Sequence, residues 1–169
     1  MRFLDVVANL AYTLAVQSNP GEKGMSRVIN LADPGKRRNR ERRTIAEVLR
    51  HLMLKRTLDQ EAKDMAATLV FCLREIAVTV EVSVAAWEKR NYYLKADRFC
   101  REWEWVLPTA ERLRDLIVHE RWEQLPQGLA QLAPHLADIH ITKMTRDPSA
   151  WQSGHSRLLG ECRAAHQQP

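Results

Sequence analysis

Cysteine is scarce in this sequence. Cys72, Cys100 and Cys162 are odd in number, widely spaced and without a CxxC pair. That argues against a disulfide framework and fits a reducing, cytoplasmic setting. Cys72 and Cys100 are expected as small apolar core residues. Glycine and proline number only six and seven, and long stretches contain neither. This disfavours an architecture of many short strands joined by turns. No run of about 18 apolar residues occurs, so no transmembrane helix is predicted.

Chemical signatures are missing too. There is no Walker loop, no GxGxxG, no HExxH and no GxSxG, and with them go the commonest phosphate-binding, dinucleotide, zinc-protease and serine-hydrolase readings. No Glu is followed three residues later by His, which removes the di-iron bundle. His135 and His140 are five apart and do not share a helix face. The chain is therefore expected to be a non-enzyme without cofactor or metal. An enzyme site assembled from dispersed residues, such as Glu75, Asp97 and His119, is the least favoured alternative.

What is present is charge in one place. The chain carries a net charge of +5. The eight residues Lys36, Arg37, Arg38, Asn39, Arg40, Glu41, Arg42 and Arg43 hold six positive charges and one negative, so the remainder sums to zero. Such a block prefers a polyanion or an acidic protein surface. Arginine-rich segments bind RNA or DNA through phosphate contacts and counterion release.

Hydrophobic spacing predicts helices. Met1 to Gln17 reads as a short amphipathic helix, ended by Ser18-Asn19-Pro20-Gly21; Met25 offers an alternative start. Residues 18–43 read as a polar loop with a turn at Asp33-Pro34-Gly35. Thr44 with Glu47 matches a capping box, and Ile45, Val48, Leu49, Leu52 and Met53 follow at helical spacing. A break falls near 57–59. Met65, Leu69, Leu73, Ile76, Val80 and Trp87 stripe a helix from about Asp59 to Lys89. Tyr93, Ala96, Cys100, Trp103, Leu107, Ala110, Leu113 and Ile117 form a second seam, interrupted at Pro108. A fourth helix is expected from about Gln124 to Met144, carrying Leu125, Leu129, Leu132, Leu136 and Ile139. Pro126 suits its first turn, and Pro134 kinks it. Ser149 caps a last short helix. The predicted fold is all-α, an up-down four-helix bundle over 44–147 with a helix and basic loop before it (1–43) and a helical tail after it (148–169).

The stretch from Trp87 to Trp105 is dense in aromatic residues. Trp87, Tyr92, Tyr93, Phe99, Trp103 and Trp105 alternate with Lys89, Arg90, Lys95, Arg98 and Arg101. Aromatic and basic side chains together stack bases and hold phosphates. Periodicity, by contrast, assigns Trp87, Tyr93 and Trp103 to the core and leaves the cations as a solvated face. Asp97 is expected to pair with Arg101 at i+4 or with Arg90 elsewhere. The candidate nucleic-acid-binding residues are Lys36, Arg37, Arg38, Arg40, Arg42, Arg43, Lys89, Arg90, Lys95 and Arg98.

The segment Ala86-Trp87-Glu88-Lys89-Arg90-Asn91-Tyr92-Tyr93-Leu94-Lys95-Ala96-Asp97, continued by Phe99, Arg101, Trp103 and Trp105, resembles the accessory proteins of diversity-generating retroelements. These are relatives of the four-helix proteins encoded in ribosomal-RNA intervening sequences. The resemblance covers roughly 44–144, with Tyr93, Ala96 and Asp97 matching the motif. It implies four-helix protomers assembled as a homopentamer and nucleic-acid binding through basic surfaces. It also implies association with a reverse transcriptase that copies a template RNA, and no catalytic centre in the accessory protein. The basic run at 36–43, the first helix and the segment after 147 lie outside the part that is similar. A helical protein-interaction subunit without a nucleic-acid role is the competing reading.

Overall fold

The computed structural model describes residues 33–166, and the predicted first helix at Met1 to Gln17 lies outside them. The described chain is all-helical, without strands. Its main elements are α1 (Pro34–Leu54), α2 (Gln60–Glu88), α3 (Tyr93–Trp103), α4 (Val106–Val118), α5 (Leu125–Ala130) and α6 (Gly154–His166). Single 3-10 turns lie at Trp122–Gln124, Ala133–Leu136 and Pro148–Ala150. No helix among the described residues is long and apolar enough to cross a membrane.

Helix α1 begins ten residues earlier than its apolar pattern. Asp33 accepts a hydrogen bond from the Gly35 N–H at 2.9 Å, and Pro34 takes the first helical position, where its missing N–H costs nothing. The Asp-Pro-Gly expected as a turn is thus a helix start. The segment 34–43, expected as loop, is the first half of α1. Thr44 and Glu47 consequently lie in mid-helix rather than in a capping box. The Thr44 hydroxyl donates to the Arg40 carbonyl at 3.0 Å.

Helix α2 is the central element and packs on α1, α3, α4 and α6. Asp59 caps it by accepting from the Ala62 N–H at 2.8 Å. Its predicted stripe is buried at Met65, Leu69, Leu73 and Ile76. These meet Ile45, Val48, Leu49 and Leu52 of α1, and Ala110, Leu113 and Ile117 of α4, in one core. Completely burying one such leucine or isoleucine contributes about 1.5–3 kcal/mol.

Three corrections concern helix continuity. The second seam breaks at Glu104 and Trp105, not at Pro108, which sits in the first turn of α4 and needs no N–H partner there. After the break Val106 is buried in place of Leu107, and before it Tyr93 and Cys100, expected on the seam, are exposed. The fourth helix, expected over 124–144, is only the short α5 and a 3-10 turn. Its apolar residues Leu125, Leu129, Leu132 and Leu136 are nevertheless buried as the spacing required. Finally, the segment after 147 is not an appendage, because Trp151 and Leu158 belong to the core. Its 3-10 turn is capped by Asp147, which accepts from the Ser149 N–H at 2.9 Å.

Two polar contacts fasten this last segment. The Asp64 carboxylate on α2 accepts from the His155 N–H at 2.9 Å, serving the otherwise unpaired first turn of α6. The Glu47 carboxylate accepts from the backbone N–H groups of Thr145 and Arg146 at 2.8 and 3.0 Å. Burial pushes the Glu47 carboxyl up, but these bonds and the Arg146 charge outweigh it and hold it below the ordinary glutamate range.

Candidate nucleic-acid interface

Placing the arginine run on a helix divides it. Lys36, Arg40 and Arg43 are spaced four and three apart, so they share one face, and all three are exposed. Arg40 contacts Glu41 at 3.1 Å and Arg43 contacts Glu47 at 3.5 Å. The Arg40–Glu41 pair, at the surface, is worth less than about 1 kcal/mol, so an incoming phosphate can displace it, whereas Arg43 faces a fully buried carboxylate.

Arg37, Arg38 and Arg42 turn the other way. Arg37 pairs with Glu75 of α2. Arg42 donates to both oxygens of Asp138, at 2.9 and 2.5 Å, and to the His135 carbonyl at 2.7 Å. Those bonds hold the Asp138 carboxyl below the usual carboxylate range. The Arg38 guanidinium carbon lies 4.7 Å from the Phe99 ring centroid and 5.1 Å from that of Trp103. Burial lowers the pKa of Arg38 against the opposing charges of Glu102 and Asp33. Three of the six cations in the run are therefore structural.

The aromatic residues they meet form a continuous half-buried ladder. Trp87 meets Phe99 edge-on at 4.8 Å, Phe99 meets Trp103 at 6.1 Å, Trp103 stacks with Trp105 at 6.3 Å, and Trp105 stacks with His135 at 3.7 Å. Each such pair is worth about 0.5–1.5 kcal/mol beyond area burial. Lys95 Nζ lies 4.5 Å from the Trp87 ring. Trp87 and Trp103, expected in the core, are only half-buried in this ladder: Trp103 packs against the core and Trp87 lies outside it. Tyr93, expected beside them, is 61% exposed.

The remaining candidates surround the turn between α2 and α3. Lys89, Arg90 and Arg98 are exposed, and among the described residues they form no ion pair. The contacts of Arg38 with Ser83, Phe99 and Trp103 bring the start of α1, the end of α2 and α3 to the same end of the molecule. Asp97 and Arg101 pair at 2.9 Å as expected.

A depression of about 440 Å³ is lined by Glu41, Cys72, Glu75 and Arg157. Burial pushes the Cys72 thiol up, so it is a poor nucleophile. Glu75 faces Arg37, and His119 faces Asp115 at 2.8 Å. No group of three His, Cys, Asp or Glu side chains among the described residues is placed to hold a metal ion.

The division of the arginine run was not readable in the sequence, because residues 36–43 lack any apolar periodicity. The signal that could have found it is Asp33-Pro34, a capping residue followed by proline. No family model, no curated protein and no solved structure matches this chain.

Proposed function

We propose that this chain is a non-enzymatic nucleic-acid-binding accessory subunit. The observation that carries the reading is two exposed cation sets: Lys36, Arg40 and Arg43 along one face of α1, and Lys89, Arg90 and Arg98 around the turn between α2 and α3. Side chains of this kind neutralise backbone phosphates, and their release of counterions makes affinity fall with salt. Arg37, Arg38 and Arg42 belong to the scaffold that presents them.

The resemblance at 86–105 supplies the rest of the proposal. In it, α1, α2, α4 and the broken chain from 125 to 136 act as an up-down four-helix bundle. The protein works in the cytoplasm as a homo-oligomer, a pentamer by that likeness. It associates with a reverse transcriptase and supports copying of a template RNA.

A second reading rests on exposed apolar side chains. Val78, Val82, Leu94 and Leu107 are 45%, 47%, 78% and 51% exposed, as expected of a subunit that only docks other proteins.

A salt titration of labelled RNA and DNA binding separates the two. The nucleic-acid reading expects log K to fall linearly with log salt, with a slope reflecting several phosphate contacts. Absence of binding at low salt overturns it and favours the docking subunit. Light scattering of the same sample tests the pentamer, and co-purification with a retroelement reverse transcriptase tests the partner.

A further inference from the structure

The turn between α2 and α3 presents two tyrosines outward in a fixed geometry. Asn91 adopts a left-handed backbone, φ 62°. The Tyr92 N–H bonds the Trp87 carbonyl at 3.0 Å, and the Asn91 N–H bonds the Glu88 carbonyl at 2.9 Å. This pair of bonds is a Schellman closure, in which asparagine is the usual substitute for glycine. The Tyr93 hydroxyl then donates to the Asn91 side-chain oxygen at 3.1 Å, tying the ring to the turn. Tyr92 and Tyr93 remain 56% and 61% exposed. Neither ring belongs to the aromatic ladder behind them.

Two large rings more than half exposed, with no ring contact among the described residues, need a reason. The charge around them supplies one. Between Glu88 and Arg101 the chain carries five cations, Lys89, Arg90, Lys95, Arg98 and Arg101, against Glu88 and Asp97, a net of +3. The positively charged start of α1 adjoins the same end through Arg38. Exposed rings edged by free cations match an unpaired strand, whose bases offer faces for stacking and whose phosphates pass close by. A duplex keeps its base faces inside the helix and offers the rings nothing.

We propose that Tyr92 and Tyr93 are a base-stacking platform for single-stranded nucleic acid, with Lys89, Arg90 and Arg98 holding its phosphates. This inference rests on the nucleic-acid reading above and names the form of nucleic acid it takes.

The test uses the full chain with a fluorescein-labelled oligo(U), an oligo(dT) and a blunt duplex of equal length, each titrated over a range of salt. Native protein is expected to prefer the single strands. Replacing both Tyr92 and Tyr93 by Ala is expected to weaken single-strand binding about tenfold or more, since one stacked base is worth ~1–3 kcal/mol. The salt slope should stay unchanged, because no phosphate contact is lost. Tyr92→Phe, which keeps the ring and leaves the Tyr93–Asn91 bond in place, should keep its affinity. Lys89→Ala with Arg90→Ala should instead reduce the slope by about two.

Equal affinity for duplex, or an unchanged affinity in the double Ala variant with its circular dichroism intact, overturns the platform. In that event single-strand or duplex binding by the native protein still upholds the parent reading, and the tyrosines are left as a protein contact. If native protein binds none of the three probes, both fall together.

Discussion

Glu47 and Thr145 are 98 positions apart in the chain and are joined by two hydrogen bonds, from the threonine N–H at 2.8 Å and from its hydroxyl at 2.7 Å, to a carboxylate with no solvent exposure. Replacing Glu47 by Ala strands these donors and the Arg146 N–H. A loss of about 2–4 kcal/mol in unfolding free energy is expected, measured by urea denaturation. The carboxyl is held below its ordinary value, so its contribution is complete above the ordinary glutamate pKa. It disappears as pH falls through the lower folded value.

Gly154 is a second tight point. A Cβ there would sit 2.6 Å from the Asp64 carbonyl oxygen and 2.9 Å from the Thr68 hydroxyl. The first of these is helix backbone and cannot swing aside. Gly154→Ala should cost about 1–3 kcal/mol and raise hydrogen exchange selectively in α6. Gly160, where a Cβ meets nothing within 4 Å, is the control, and its Ala variant should be neutral or stabilising.

The arginine run should separate into two phenotypes. Arg38→Ala and Arg42→Ala remove stacking on Phe99 and Trp103 and the Asp138 pair. Each is expected to lower the melting temperature by several degrees, in keeping with about 1–2 kcal/mol. Lys36→Ala with Arg40→Ala should leave the melting temperature nearly unchanged while weakening nucleic-acid binding and flattening its salt dependence; Arg43, which faces the buried Glu47, is left in place. A double variant that melts early, or binds as before, contradicts the assignment.

His155 couples stability to pH. It is 9% exposed, its Nε2 has no hydrogen-bond partner among the described residues, and its ring lies 5.6 Å from that of Trp122. Burial lowers its pKa first, Lys63 adds to that, and Asp64 and Glu120 oppose it. The unfolded chain therefore takes up the proton before the folded one does. Stability should fall as pH drops below the ordinary histidine value of about 6.5. Melting temperatures at about pH 7.5 and about pH 5.5 check this, and the drop should shrink in His155→Gln.

Thiol chemistry reports the seam register. Cys72 and Cys162 are buried and Cys100 is exposed. A maleimide should label one cysteine per native chain rapidly and three in denaturant. Cys100→Ser should remove the fast reaction.

The helices that form the core were legible because burial leaves a periodic mark. The stripes at Ile45–Leu52, Met65–Ile76 and Ala110–Ile117 are buried as their spacing requires. What escaped was set by contacts without a period. The first half of α1 is held by guanidinium groups against Phe99, Trp103, Glu75 and Asp138, partners a sequence does not align. The short α5 keeps apolar spacing without helical continuity, since Gly128 closes to within side-chain contact of Leu113 and Leu116 and Pro134 starts a new turn. Among the candidate residues, the sequence supplied the cations and the structure sorted them by direction.

The polar ties from Glu47 to Thr145 and Arg146, and from Asp64 to His155, have a consequence for biosynthesis. A nascent chain can pair α1 with α2 early, but the carboxylates on those helices meet their donors only when residues 145–155 have cleared the ribosome. Until then the two carboxylates on those helices lack the donors they meet in the folded chain, so this part of the fold is completed last.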